Sequence, residues 1–121
     1  MPYVLAAVQD MIFATRVREA ARSAGVELRT AVTPAALGDA LRGGAPALAL
    51  FDLSDPRCPA LDLLRALRAD PACAAVPTVG FFSHVEEQVR LDALAAGCGE
   101  VLPRSRFVQE LPAILQRASA P

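Results

Sequence analysis

Two aspartates close short apolar runs: residues 3–8 give way to Gln9-Asp10, and residues 47–51 end at Asp52. A hard divalent cation such as Mg²⁺ takes carboxylate and carbonyl oxygens, so two carboxylates at one rim could hold it. Each aspartate taken alone has a plainer use, capping the segment that follows. Ser83 and Arg104 close two further apolar runs and add a hydroxyl and a guanidinium. Whether the four meet depends on the elements that carry them.

Those elements alternate in period. After Asp10, residues 11–24 place Ile12, Val17, Ala20 and Ala24 near one helical face, and Gly25 stops the pattern. Residues 26–32 alternate like a strand. Thr33 and Pro34 then open a short helix ended by Gly43-Gly44. Residues 61–68 set Leu61, Leu64 and Leu67 at helical spacing, 71–77 read as a loop, and 78–82 as an apolar strand. Residues 86–96 form a helix closed by Gly97, 100–102 a short strand, and 105–118 a last helix with Ser105 at its N-cap. Pro112 would kink that helix or delay its start.

Five strand–helix units with short connections predict one α/β domain over residues 1–121: a five-stranded parallel sheet with helices on both faces. Ligands in such sheets lie beyond the carboxyl ends of the strands, where Asp10, Asp52, Ser83 and Arg104 fall. The 121 residues suffice for one real core. A net charge of −1, with twelve arginines and no lysine, offers no basic footprint for nucleic acid or an anionic membrane. No apolar run is long enough to span a bilayer, and no signal peptide opens the chain. Cys58, Cys73 and Cys98 lack metal spacing and read as core fillers, which suits a reducing cytoplasm.

The order of short motifs resembles the CheY-like receiver domain of bacterial response regulators over nearly the whole chain. Phe51-Asp52-Leu53-Ser54-Asp55-Pro56 looks like the phospho-acceptor segment, with its proline four residues beyond the Asp. Val76-Pro77-Thr78-Val79 looks like the entry to strand four, and Gly97-Cys98-Gly99-Glu100-Val101-Leu102-Pro103-Arg104 like the segment ending in the receiver lysine. The resemblance implies a flavodoxin-like α/β/α sandwich with strand order 2-1-3-4-5. It also makes Asp52 the phospho-acceptor, with Asp10, Asp52 and the Ser54 backbone carbonyl as Mg²⁺ ligands.

Several positions depart from the family pattern. Gln9 stands where a second acid is usual, which weakens metal affinity without abolishing the site. Phe82 occupies the position of the hydroxyl that senses the phosphoryl group. Ser83 comes one residue late, and one step along a strand points to the other face. Val101 replaces the aromatic switch residue. Arg104 replaces the lysine, keeping its charge but offering a flat fork.

These departures favour a degenerate or pseudo-receiver: a non-enzymatic protein–protein interaction module with impaired switching. The alternative is a working single-domain response regulator phosphorylated on Asp52 by a histidine kinase. A flavodoxin-like small-molecule binder or small enzyme ranks third, because Gln9-Asp10-Met11 replaces any glycine-rich phosphate loop and no Asp-x-His-x-x-Gly motif occurs. The family's usual partner face is the last two helices and the strand between them, for a kinase, an effector or a second copy. Here Glu86, Glu87, Arg90, Asp92, Arg104, Arg106 and Glu110 crowd it, and a solvated face with pairs such as Glu86–Arg90 is the plainer reading. His84, the single histidine, reads as a loop residue. Met11, Ile12 and Phe13 either seal the rim or begin the helix packing.

Overall fold

The structure, a computed structural model, describes residues 2–83 and 87–119; His84 and Glu86 lie outside them. Five strands, β1 (Tyr3–Ala7), β2 (Glu27–Thr30), β3 (Leu48–Asp52), β4 (Thr78–Phe82) and β5 (Glu100–Pro103), form one sheet in the order β2-β1-β3-β4-β5. All neighbours pair in parallel. The expected sheet and strand order are both present, and the fold is the flavodoxin-like, CheY-like sandwich.

Helices α1 (Met11–Ala24) and α5 (Arg104–Ser119) cover one face. Helices α2 (Pro34–Leu41), α3 (Ala60–Ala69) and α4 (Glu87–Ala95) cover the other. β1, β3 and β4 are buried along their whole length, which is why they read as continuous apolar runs. On the α1/α5 side Phe13, Phe81 and Phe107 form a cluster, with Phe81 and Phe107 stacked at 4.3 Å between ring centres. On the other side Leu63, Leu64 and Leu67 of α3 are essentially inaccessible. Each such side chain stabilises the fold by about 1.5–3 kcal/mol relative to leaving it in water.

Local signals explain most boundaries. Thr33 Oγ1 accepts from the Ala36 N–H at 3.1 Å, and Pro34 occupies the first turn of α2. Gly25 ends α1 at φ 72°, a conformation that favours glycine. Three expectations need correction. The buried face of α1 is Phe13, Val17 and Ala21, so Ile12, 83% exposed, lies outside the core. A 3₁₀ turn at Pro71–Cys73 interrupts the expected loop, because Asp70 accepts from the Ala72 N–H and Pro71 pre-sets the first position. Helix α5 begins at Arg104, one residue before the expected Ser105 cap, and runs through Pro112 without a break. Arg90 pairs with Glu87, one turn away; the expected Glu86–Arg90 pair lies outside the described residues.

The sheet's amino-terminal end is held by an arginine the sequence does not flag. Arg68 donates to the carbonyls of Gly97 (2.9 Å), Cys73 (3.1 Å) and Ala74 (3.1 Å), and to Thr78 Oγ1 (3.0 Å). It ties α3 to the loops that enter β4 and β5, leaving the opposite end for chemistry. Among the described residues, no helix is long and apolar enough to cross a membrane.

Candidate functional site

Asp52 is the last residue of β3 and is only 4% exposed. Beyond it the chain turns so that the N–H groups of Ser54 (3.0 Å) and Asp55 (3.3 Å) both donate to Asp52 Oδ1. Burial pushes the Asp52 carboxyl above its ordinary range; the two N–H groups and the positive charge of Arg104 oppose that shift without cancelling it. Oδ2 receives neither N–H group and is left for other chemistry.

Asp10 does what its plainer reading requires. Its Oδ1 accepts from the Phe13 N–H at 2.9 Å and so caps α1. That bond also fixes the carboxylate at the carboxyl edge of β1, beside β3, where helices leave the sheet on opposite faces. Capping and site-lining are therefore compatible. Asp10 and Asp52 line one small cavity of about 190 Å³, together with Ser54, Ser83, Arg104 and Arg57.

Phe82 and Val101 are not among the residues lining that cavity. Phe82 ends β4, 5% exposed and opposite Pro103; Val101 packs against the α3/α4 side of the core, paired with Gly80. Ser83 is a different matter. The expectation that it points away assumed a strand continuing past Phe82, but β4 ends there and Ser83 lies in a bend. Its backbone N–H donates to Ser54 Oγ at 2.8 Å, tying the β4 exit to the loop after Asp52. Alternation no longer sets its direction, and it lines the cavity.

Two cavity residues, Asp55 and Arg57, had no role at the site from the sequence. The Arg57 side chain grips Asp55 through Nε (3.2 Å) and Nη2 (3.1 Å), while its backbone N–H donates to Asp55 Oδ1 at 2.9 Å. This holds the Asp55 carboxyl below its ordinary value. The i,i+2 Asp–Arg spacing just beyond Asp52 was the available signal. Among the described residues, no three His, Cys, Asp or Glu side chains are grouped to hold a metal ion. The oxygens expected to hold a cation would be those of the two carboxylates and the Ser54 carbonyl. That all-oxygen set suits Mg²⁺ by its chemistry, since each aspartate keeps one oxygen outside its backbone bonds.

Arg104 sits where α5 begins, with its guanidinium carbon 4.2 Å from the centre of the Phe13 ring. It forms no ion pair with Asp52. Cys58 is the thiol nearest the site in role: Sγ–H donates to the Ala7 carbonyl at 3.3 Å. Burial, helped by Asp52 and Asp55, pushes that thiol up to about 11, so it stays protonated and packs as a filler. Cys73 and Cys98 are also buried and unpaired.

No family model matches the chain, and no curated protein does. Solved structures do match. The chemotaxis protein CheY4 of Vibrio cholerae is 21% identical with a TM-score of 0.82, covering 98% of each chain. A response regulator from Burkholderia multivorans is 22% identical with a TM-score of 0.76, over 100% of this chain and 97% of the other. The response regulator Rcp1, solved in an Mn²⁺-bound form, is 18% identical with a TM-score of 0.74, covering 96% and 90%. With these likenesses spanning nearly the full length of both partners, the chain has the fold of response-regulator receiver domains.

Proposed function

We propose that the protein is a receiver module of two-component signalling whose Asp52 accepts a phosphoryl group, with a readout that does not use the usual β4–β5 side-chain pair. One observation carries this reading: Asp10, Asp52, Ser83 and Arg104 line a single cavity from which Phe82 is absent. In the transfer, an Asp52 carboxylate oxygen attacks the phosphorus of a phosphohistidine. The P–N bond breaks, and the leaving imidazole takes a proton. Such chemistry depends on positioning and on offsetting charge. Asp10, Asp52 and the Ser54 carbonyl would hold Mg²⁺, which neutralises phosphoryl oxygens when bound. Arg104 supplies a second positive charge and Ser83 a hydroxyl donor. The protein's aspartate is modified; the chain is not itself a turnover enzyme.

The second reading, an interaction module held in one state, draws on Gln9 in place of an acid and on the burial of Phe82. Under either reading, α4, β5 and α5 are the face for a kinase, an effector or a second copy. Leu91 (46%) and Leu94 (39%) on α4 are exposed there. A bacterial cytoplasm is the setting both readings imply.

Incubation with Mg²⁺ and phosphoramidate, followed by intact-mass measurement, separates them. The phospho-acceptor reading expects one added phosphoryl group that is lost in Asp52→Asn. No addition at millimolar Mg²⁺ leaves the interaction-module reading standing.

A further inference from the structure

A second cavity lies on the α1/α5 side of the molecule, of about 490 Å³ and larger than the one around Asp52. Val108 and Ile12 are its accessible apolar lining, Phe13 lies beneath, 3% exposed and covered by Arg104, and Arg16, Arg104 and Ser105 supply the polar groups. Its volume falls in the range of small-molecule sites, which pair apolar walls with a few fixed polar groups. Ile12 is 83% exposed although nothing in the acceptor cavity needs it there. Among the described residues, neither Arg16 nor Arg104 makes an ion pair, while seven other arginines do. Pro112 has no N–H, so the helical donor to the Val108 carbonyl is missing beside the lining.

We propose that this groove binds a small amphipathic anion, its apolar body over Val108 and Ile12 and its acid group between Arg16 and Arg104. The match is one of charge and shape. A flat hydrophobic body covers the exposed Ile12, and a carboxylate or sulfonate takes the fork of Arg104 without disturbing its stack on Phe13. A neutral ligand would leave the two guanidiniums unpaired, and a cationic one would be repelled. Arg104 lines both cavities. An anion in the groove therefore draws on the same guanidinium that a phosphoryl group on Asp52 would use, and the two compete. That last consequence rests on the function proposed above; the binding itself does not.

The test is an amide NMR titration of the full chain with 2-naphthoate, alongside the neutral naphthalene-2-methanol, with no phosphodonor present. Naphthoate is expected to shift the amides of Phe13, Arg16, Arg104 and Val108 saturably, with a Kd of about 1 mM for a ligand of this size. The neutral alcohol should bind much more weakly, and Arg16→Gln should weaken naphthoate about tenfold. Arg16 is exposed on α1, so this variant keeps the fold, which its unchanged amide spectrum verifies. Equal binding of acid and alcohol overturns the proposal. So do scattered shifts, or a tri-glutamate peptide that shifts the same amides more tightly than naphthoate. Asp52→Asn should still bind naphthoate, at least as tightly as the parent, which keeps failure of the groove distinct from failure of phosphorylation.

Discussion

The Arg104 guanidinium lies on the face of Phe13, 4.2 Å from the ring centre, instead of pairing with Asp52. Phe13 in turn packs against Phe81 at 4.8 Å, and Phe81 is the β4 partner of Asp52 across the sheet. The cation at the start of α5 is thus held by the aromatic cluster beneath Asp52. A planar guanidinium can stack in this way while keeping its charge near the carboxylate; a compact ammonium gains less from the ring.

That stack has a measurable worth. In a double-mutant cycle of Arg104→Gln and Phe13→Leu, chemical denaturation should give a coupling of about 0.5–1 kcal/mol. Phe13→Leu alone will cost more, because the ring also packs on Phe81 and Phe107. Strictly additive single-mutant effects would show that the stack contributes nothing.

Asp52 sets a pH dependence of known sign. Its carboxyl is raised in the folded protein, so the native state holds the proton more tightly than the unfolded chain. The stabilisation from the protonated form is complete below the unfolded value and is lost as pH rises through the folded one. Ionised Asp52 therefore costs stability at neutral pH. Asp52→Asn should raise the Tm at pH 7 by roughly 2–5 °C, since the amide oxygen can still accept from Ser54 and Asp55. The gain should vanish near pH 3; a lower Tm at pH 7 would contradict the assignment.

Ser83 and Phe82 should separate cleanly. Ser83→Ala removes a hydroxyl at the cavity and should slow phosphoramidate labelling of Asp52 about tenfold, the usual scale for one charge-assisted hydrogen bond, with the fold intact. Phe82→Ala empties a buried site and should cost about 3–5 kcal/mol, while labelling of the remaining folded protein stays within twofold. The opposite pattern would return the sensing role to position 82.

The physical reasons for what the sequence revealed lie in particular residues. Strands β1, β3 and β4 are buried on both faces, so unbroken apolar runs such as Leu48–Phe51 mark them. Asp10 and Asp52 were legible because they end such runs. Arg57 was not, because its place at the cavity comes from a loop whose turn is set by bonds to Asp52 and Asp55, not by any period. The direction of Ser83 was not legible for a related reason: the alternation rule lapses where β4 stops. Ile12 was grouped with the face of Val17, Ala20 and Ala24 because apolar residues at the start of a helix fit two adjacent faces, and only the packing of Phe13 against Phe81 and Phe107 chooses between them.

Arg57 is the cavity residue whose removal should be most informative. Its guanidinium neutralises Asp55 and lies close enough to Asp10 and Asp52 for their charges to raise its own pKa. The same field works against a divalent cation at those carboxylates. In Arg57→Gln, Asp55 loses its partner and the positive charge at the cavity mouth disappears. Removing one unit charge at several ångströms through water-like surroundings should strengthen divalent binding roughly three- to tenfold. Mn²⁺ titration followed by electron paramagnetic resonance measures this directly. The Asp55 carboxyl should rise back toward its ordinary range at the same time, visible in the side-chain carbonyl shift. Unchanged Mn²⁺ affinity with a raised Asp55 would mean that the cation does not sit between Asp10 and Asp52.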